Sequence, residues 1–214
     1  LFAHVTEGSL RAGVVLVVLG ELVRCWANGY AGHRKVNWIQ KWRGDAKIGH
    51  LVTAGPYAFV RHPLYFGTLV LGAGFCLMVH NLWLTLAALA GFLSVYPRKM
   101  EQEESLLRDE CGPAYLPYHA AVPRLVPRWP RDASRQGKWT WRGIAASKEW
   151  KTALWAGALV ILVYFWEESV QEREWLFEER HAYRLFLLAL LVLLVAIDGV
   201  MELAARRMKA KARA

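Results

Sequence analysis

Cysteine is scarce. Cys25, Cys76 and Cys111 are the only three in 214 residues, and their spacing fits neither a metal-ligand set nor a disulfide framework. Covalent staples and zinc therefore do not hold this fold, and the three side chains read as ordinary thiols. No internal repeat is present, which excludes a solenoid. The net charge of +9 is gathered on no basic face apart from the flanks of apolar blocks, which argues against nucleic acid as a partner. No small-residue cleavage site follows the first apolar run, which Glu21 and Arg24 interrupt, so that run is not expected to be a cleaved signal peptide.

Charge is also nearly absent from long stretches of the chain. Residues 63–80, 82–96, 152–166 and 185–197 carry almost none, and a fifth block, 12–20, extends toward Ala27 past Glu21 and Arg24. A 15-residue helix rises only about 22 Å against a hydrocarbon core of roughly 30 Å, so each block must borrow flanking residues to cross a bilayer. The flanks suit that task. Eleven Trp residues are too many for core filler, and Trp26, Trp83, Trp150, Trp155 and Trp166 stand at block ends, as in an interfacial aromatic belt.

Residues 27–62 hold six basic and one acidic side chain, residues 97–150 ten and seven, and residues 201–214 five and one, whereas residues 167–183 hold two and six. Basic loops stay on the cytoplasmic side. The composition therefore predicts an all-α polytopic membrane bundle of about five transmembrane helices, N-terminus outside and C-terminus cytoplasmic. Glu21 with Arg24, and Asp198, read as interfacial pairs or snorkelling side chains. The basic residues between 206 and 213 can meet anionic membrane lipids.

Local signals divide the chain further. Gly55-Pro56 marks a turn, and Pro63 suits the first position of a helix, where a missing N–H costs nothing. A tight hairpin is expected around Asn81, an end to the third span near Pro97, beyond it a polar helical stretch over residues 100–110, and a stop at Gly112-Pro113. Four prolines between residues 115 and 130 predict an extended segment. These boundaries give a core over residues 1–130, a polar cytoplasmic connector over 131–150, and two further transmembrane helices with a basic tail over 151–214.

Two strings carry candidate chemistry. In the first, Gly55-x-Tyr57-x-x-x-Arg61-His62-Pro63-x-Tyr65-x-Gly67, a helix N-terminus offers unpaired N–H groups to an anion such as an amino-acid carboxylate. His62 and Tyr65 share a face there, and Tyr57 offers an aromatic plane to a base or sulfonium. The bland reading has Arg61 and His62 snorkelling, Tyr65 in the aromatic belt and Gly67 packing helices. The second string runs Glu103-Glu104-x-x-Leu107, Gly112-x-x-Tyr115-x-x-Tyr118, Val122-Pro123-Arg124-x-x-Pro127. Its paired carboxylates either hold a ligand or proton, or lie on a solvated face beside Arg108 and Lys99.

In this order the strings resemble the isoprenylcysteine carboxyl methyltransferase and phospholipid methyltransferase family of membrane enzymes, over about residues 48–127. The resemblance implies a pocket for S-adenosyl-L-methionine facing the cytoplasm and a lipid-like or amphiphilic acceptor entering from the membrane. It places the cofactor against Gly49, His50, Leu51, Val52, Tyr57, His62, Pro63, Leu64 and Tyr65, with Gln40 matching at a looser spacing. It makes Glu104 the acidic residue important for activity. The carboxyl methyltransferase branch carries an Arg for the substrate carboxylate just before the Val-Pro pair; here that position is Ala121, and Arg124 is the candidate replacement.

Two other readings compete. Membrane sterol reductases, which use a nicotinamide cofactor, are similar to this family in their final helices, although no extra dinucleotide-binding sequence is evident here. A non-catalytic membrane protein would need neither Glu104 nor His62.

Overall fold

The computed structural model describes residues 6–31, 51–129, 136–147, 149–171 and 181–211. All regular structure in them is helical. In chain order the helices are α1 (Glu7–Ala31), a 3₁₀ turn (Gly55–Ala58), α2 (Pro63–Val79), α3 (Leu82–Cys111), a second 3₁₀ turn (Gly112–Ala114), α4 (Tyr115–Ala121), α5 (Trp141–Ser147), α6 (Glu149–Gln171) and α7 (His181–Lys211). They form two compact units, Leu1–Glu149 and Trp150–Ala214.

In the first unit, α1 and α2 pack antiparallel through two pairs of glycines. A Cβ built on Gly13 would lie 2.7 Å from the Gly74 carbonyl oxygen, and one on Gly20 would lie 2.7 Å from that of Gly67. Each pair is separated by the same seven-residue step on its helix, so one face of α1 meets one face of α2 backbone to backbone. Such close approach is how helices associate when both are apolar and packing must supply the attraction.

The helix boundaries follow their residues. Pro63 opens α2. His80 turns left-handed at φ 49°, and the Asn81 side chain accepts a 3.0 Å bond from the Leu84 N–H to start α3, which makes the expected hairpin. Gly112, at φ 51°, ends α3 as predicted; a Cβ is strained in that region.

Two expectations change. The third helix does not end near Pro97 but runs through it to Cys111 as a single α3. Proline removes one bond, to the carbonyl four residues back, and the helix-favouring run from Lys99 to Leu107 carries the helix past that gap. Residues 115–121 are helical, not extended, because Pro117 sits in the first turn of α4, where its N–H would have no partner anyway. The chain becomes irregular only from Val122 on.

The segment expected to be a polar connector is partly built into the first unit. The Gln136 carbonyl accepts from the N–H groups of Thr53 (2.9 Å) and Ala54 (3.1 Å), and Thr140 N–H donates to the Gly29 carbonyl at 2.9 Å. The Trp139 indole covers Gly29 where any Cβ would stand. Of the two readings for Glu21 and Arg24, the structure shows the pair, with Nε and Oε2 3.6 Å apart, and not snorkelling, since both side chains are largely buried.

Among the described residues no helix is long and apolar enough to cross a membrane. The blocks are short, as their lengths foretold, and charges flank them closely. Large apolar side chains nevertheless remain uncovered in rows: Val15, Val18, Leu19 and Leu22 on α1, and Leu82, Leu86, Leu89 and Leu93 on α3. In the second unit Leu185, Leu188 and Val192 do the same on α7, and Lys151 pairs with Asp198 at 3.3 Å between α6 and α7.

Candidate functional site

The two strings singled out in the sequence meet. The chain entering α2 pairs with the chain leaving α4: Arg61 N–H donates to the Pro123 carbonyl (2.8 Å), His62 N–H to that of Arg124 (3.2 Å), and Arg128 N–H to that of Phe59 (3.0 Å). Three backbone bonds thus fix Arg124 beside His62. The last turns of α3 supply the carboxylates between them.

Glu104 is the hub. Its side chain is 3% exposed, and Arg124 grips it with two bonds, Nε to Oε1 at 2.9 Å and Nη2 to Oε2 at 2.6 Å. His62 Nε2 lies 3.0 Å from Oε1, Arg61 Nη2 3.2 Å from Oε1, and His119 Nε2 3.7 Å from Oε2. Arg61 also donates to the carbonyls of His119 and Val122, tying the end of α4 to the same cluster. Burial alone would raise the Glu104 pKa, but the bonds from His62 and Arg124 and the charge of Arg61 overcome it and hold the carboxyl well below the usual range. Such a carboxylate is a poor proton acceptor at neutral pH. It organises cations.

His62 shows the same balance with the other sign. Burial would lower its pKa, but bonds to Glu103 and Glu104 outweigh it and raise it. Glu103 lies 3.4 Å from His62 Nδ1, and Tyr65 donates its hydroxyl to Glu103 at 2.5 Å. A row of rings runs away from this point: His62 stacks on Tyr65 (5.6 Å between centroids), Tyr65 meets Tyr96 edge-on (5.1 Å), and Tyr96 stacks on Phe92 (4.4 Å). His119, by contrast, has a lowered pKa, through desolvation and then the charge of Arg61. Tyr118 donates to the Tyr57 carbonyl at 2.9 Å, and the fully buried Tyr115, whose hydroxyl meets no partner among the described residues, has a pKa pushed up to about 12 by desolvation and by Glu104.

Of the sequence candidates, Glu104, Arg124, His62 and Tyr65 lie in one cluster, with Pro63 and Leu64 in the helix turn between His62 and Tyr65. Tyr57 is attached through Tyr118, and Leu51 and Val52 precede the backbone held by Gln136. Gln40, Gly49 and His50 lie outside the described residues. Arg61, Glu103 and His119 join the cluster without having been singled out as site residues. Arg61 and Glu103 adjoin residues that were, and that adjacency was the available signal.

The profile of the isoprenylcysteine carboxyl methyltransferase (ICMT) family matches residues 13–109. The chain is 30% identical over 115 residues to protein-S-isoprenylcysteine O-methyltransferase B of Arabidopsis thaliana, covering 54% of this chain and 57% of that protein. It is 31% identical over 115 residues to the human protein-S-isoprenylcysteine O-methyltransferase (54% and 40%). It is 30% identical over 119 residues to the cobalt-zinc-cadmium resistance protein CzcN of Cupriavidus metallidurans (56% and 49%). The matches span about half the length of these relatives. No solved structure matches the chain. The likeness to the isoprenylcysteine carboxyl methyltransferase family thus lies over residues 13–109, which include α2 and the Glu103-Glu104 pair.

Proposed function

We propose that the chain transfers a methyl group from S-adenosylmethionine to a lipid-like or amphiphilic acceptor at the cytoplasmic face of a membrane. The observation that carries this reading is the start of α2. His62 caps it without any side-chain bond to the first turn, so N–H groups there can receive a carboxylate, while Glu103 stands 3.4 Å from His62 to receive an ammonium. The ring row from Tyr65 to Phe92 suits an adenine or a sulfonium. An amino-acid zwitterion joined to an aromatic base is what this donor set fits. The family match favours methyl transfer over nicotinamide-dependent reduction.

S-adenosylmethionine supplies an electrophilic methyl group, and this chain's residues position and charge the surroundings. Glu104 holds Arg124 and Arg61 rather than accepting a proton, so the site suits an acceptor that is already an anion, such as a carboxylate or thiolate. Arg124 remains 43% exposed, and its Nη1 is not engaged by Glu104. That edge can orient an anionic acceptor in place of an Arg at Ala121.

The uncovered rows on α1, α3 and α7 suit lipid chains, with the short apolar blocks crossing by borrowing their flanks. The basic segments then face the cytoplasm. Calorimetry of the detergent-purified protein with S-adenosylhomocysteine tests the donor site: saturable heat is expected, and none at millimolar ligand would refute it.

A further inference from the structure

The first turn of α2 is held from two directions. Glu103 and Glu104 hold Tyr65 and His62, and Arg24 of α1 holds the turn from the α1-facing side. Arg24 Nη1 donates to Thr68 Oγ1 and lies 3.5 Å from the Leu64 carbonyl oxygen, to which Thr68 itself donates at 2.9 Å. Gly67 makes this possible: a Cβ there would stand 2.6 Å from Arg24 Cγ, so the arginine stem lies across bare backbone.

Two carboxylates orient the guanidinium. Glu149 Oε1 is 2.6 Å from Nη2, and Glu21 Oε2 is 3.6 Å from Nε. The side chains are 14% exposed for Arg24 and 1% for Glu149. Asn28 adds a 2.8 Å bond to the Arg24 carbonyl, one turn on. An arginine this buried costs more than a lysine-like snorkelling group, and its bonds end on the carbonyl of Leu64 and the hydroxyl of Thr68 rather than on solvent. Glu149 lies well beyond the family match at residues 13–109.

We propose that Arg24, oriented by Glu149, is a positioning residue for the methyl-donor site. It fixes Leu64 and Thr68, and through them the direction in which the first N–H groups of α2 point. This rests on the donor site proposed above. A helix terminus whose first turn can tilt presents its N–H groups to a carboxylate less well, so loss of Arg24 weakens donor binding without touching any donor-contacting group.

The test compares wild type, Arg24→Met, Glu149→Met and the double variant, together with Thr68→Val and Thr68→Ser, by calorimetry with S-adenosylhomocysteine and by thermal unfolding of the ligand-free protein. Each single variant lowers the unfolding midpoint, Arg24→Met the more because both Glu149 and Glu21 lose the guanidinium; the double variant regains only the part that the buried Glu149 charge costs. The double variant nevertheless binds about tenfold more weakly, Thr68→Val weakens binding in the same direction, and Thr68→Ser restores it. A purely structural role predicts instead that binding recovers with stability. Wild-type affinity in both the double variant and Thr68→Val overturns the proposal. Should the double variant fail to fold, the Thr68 pair decides alone. No binding by wild type would refute the donor site itself, and this inference with it.

Discussion

Arg124 and Glu104 form a two-bond fork, 2.9 Å and 2.6 Å, with the carboxylate buried and the guanidinium partly exposed. Glu104 is thereby the common partner of Arg124, Arg61 and His62, and its loss takes a buried carboxylate from all three. Glu104→Gln should destabilise the protein by about 3 kcal/mol, at the low end for a broken buried pair because water screens Arg124. Glu103→Gln, at a more exposed carboxylate, should cost about 1 kcal/mol. Unfolding in detergent measures both, and a change below about 0.5 kcal/mol for Glu104→Gln would return it to a solvated face.

Stability should fall on both sides of a central pH range. The His62 pKa is raised, so its contribution is complete below the ordinary value of 6.5 and is lost as pH rises through the higher folded value. The Glu104 pKa is lowered, so its contribution is present above the ordinary 4.5 and is lost as pH falls through the depressed value. Thermal midpoints across pH should show His62→Gln abolishing the loss on the alkaline side while leaving the acid side. An unchanged alkaline limb would place His62 outside the cluster.

The glycine pairs between α1 and α2 make a contrast available within one protein. A Cβ on Gly20 would meet the Leu71 nitrogen at 2.6 Å and the Gly67 oxygen at 2.7 Å, both backbone atoms that cannot swing aside, whereas one on Gly91 would meet nothing within 4 Å among the described residues. Gly20→Ala should cost about 2 kcal/mol by prying the helices apart. Gly91→Ala should be neutral or stabilising by about 0.5 kcal/mol, through helix propensity. Equal effects in unfolding experiments would contradict the backbone contact.

Signals that act over a few residues were legible in the sequence. Pro63, Asn81 and Gly112 set helix ends by what their own backbones permit, and the ordered strings around His62 and Glu104 pointed to a common site. Pro97 misled because a single missing bond does not outweigh the helix on either side. Arg24 and Glu149 were out of reach for another reason: a pair 2.6 Å apart in space but separated by most of the chain leaves no local pattern, and beside Glu21 the arginine looked interfacial. Of the roles open to Glu104, the solvated face does not fit a buried side chain, and the cations it holds, Arg61 and Arg124, arrive from different segments.

Orientation is testable apart from chemistry. In a cysteine-free background, a cysteine replacing Lys138 should resist an impermeant reagent applied to intact cells, while one replacing Glu168 should react, because the basic segments are proposed to face the cytoplasm. Labelling at Lys138 alone would invert the topology.

Donor-dependent methyl transfer is tested by incubating the purified protein with a membrane lipid extract and S-adenosylmethionine that carries a labelled methyl group. Label is expected in an organic-soluble product, competed by S-adenosylhomocysteine and reduced by ~100-fold or more in an Arg124→Ala variant that retains its fold. Wild-type protein that binds no donor and moves no label, whatever extract is offered, would contradict it.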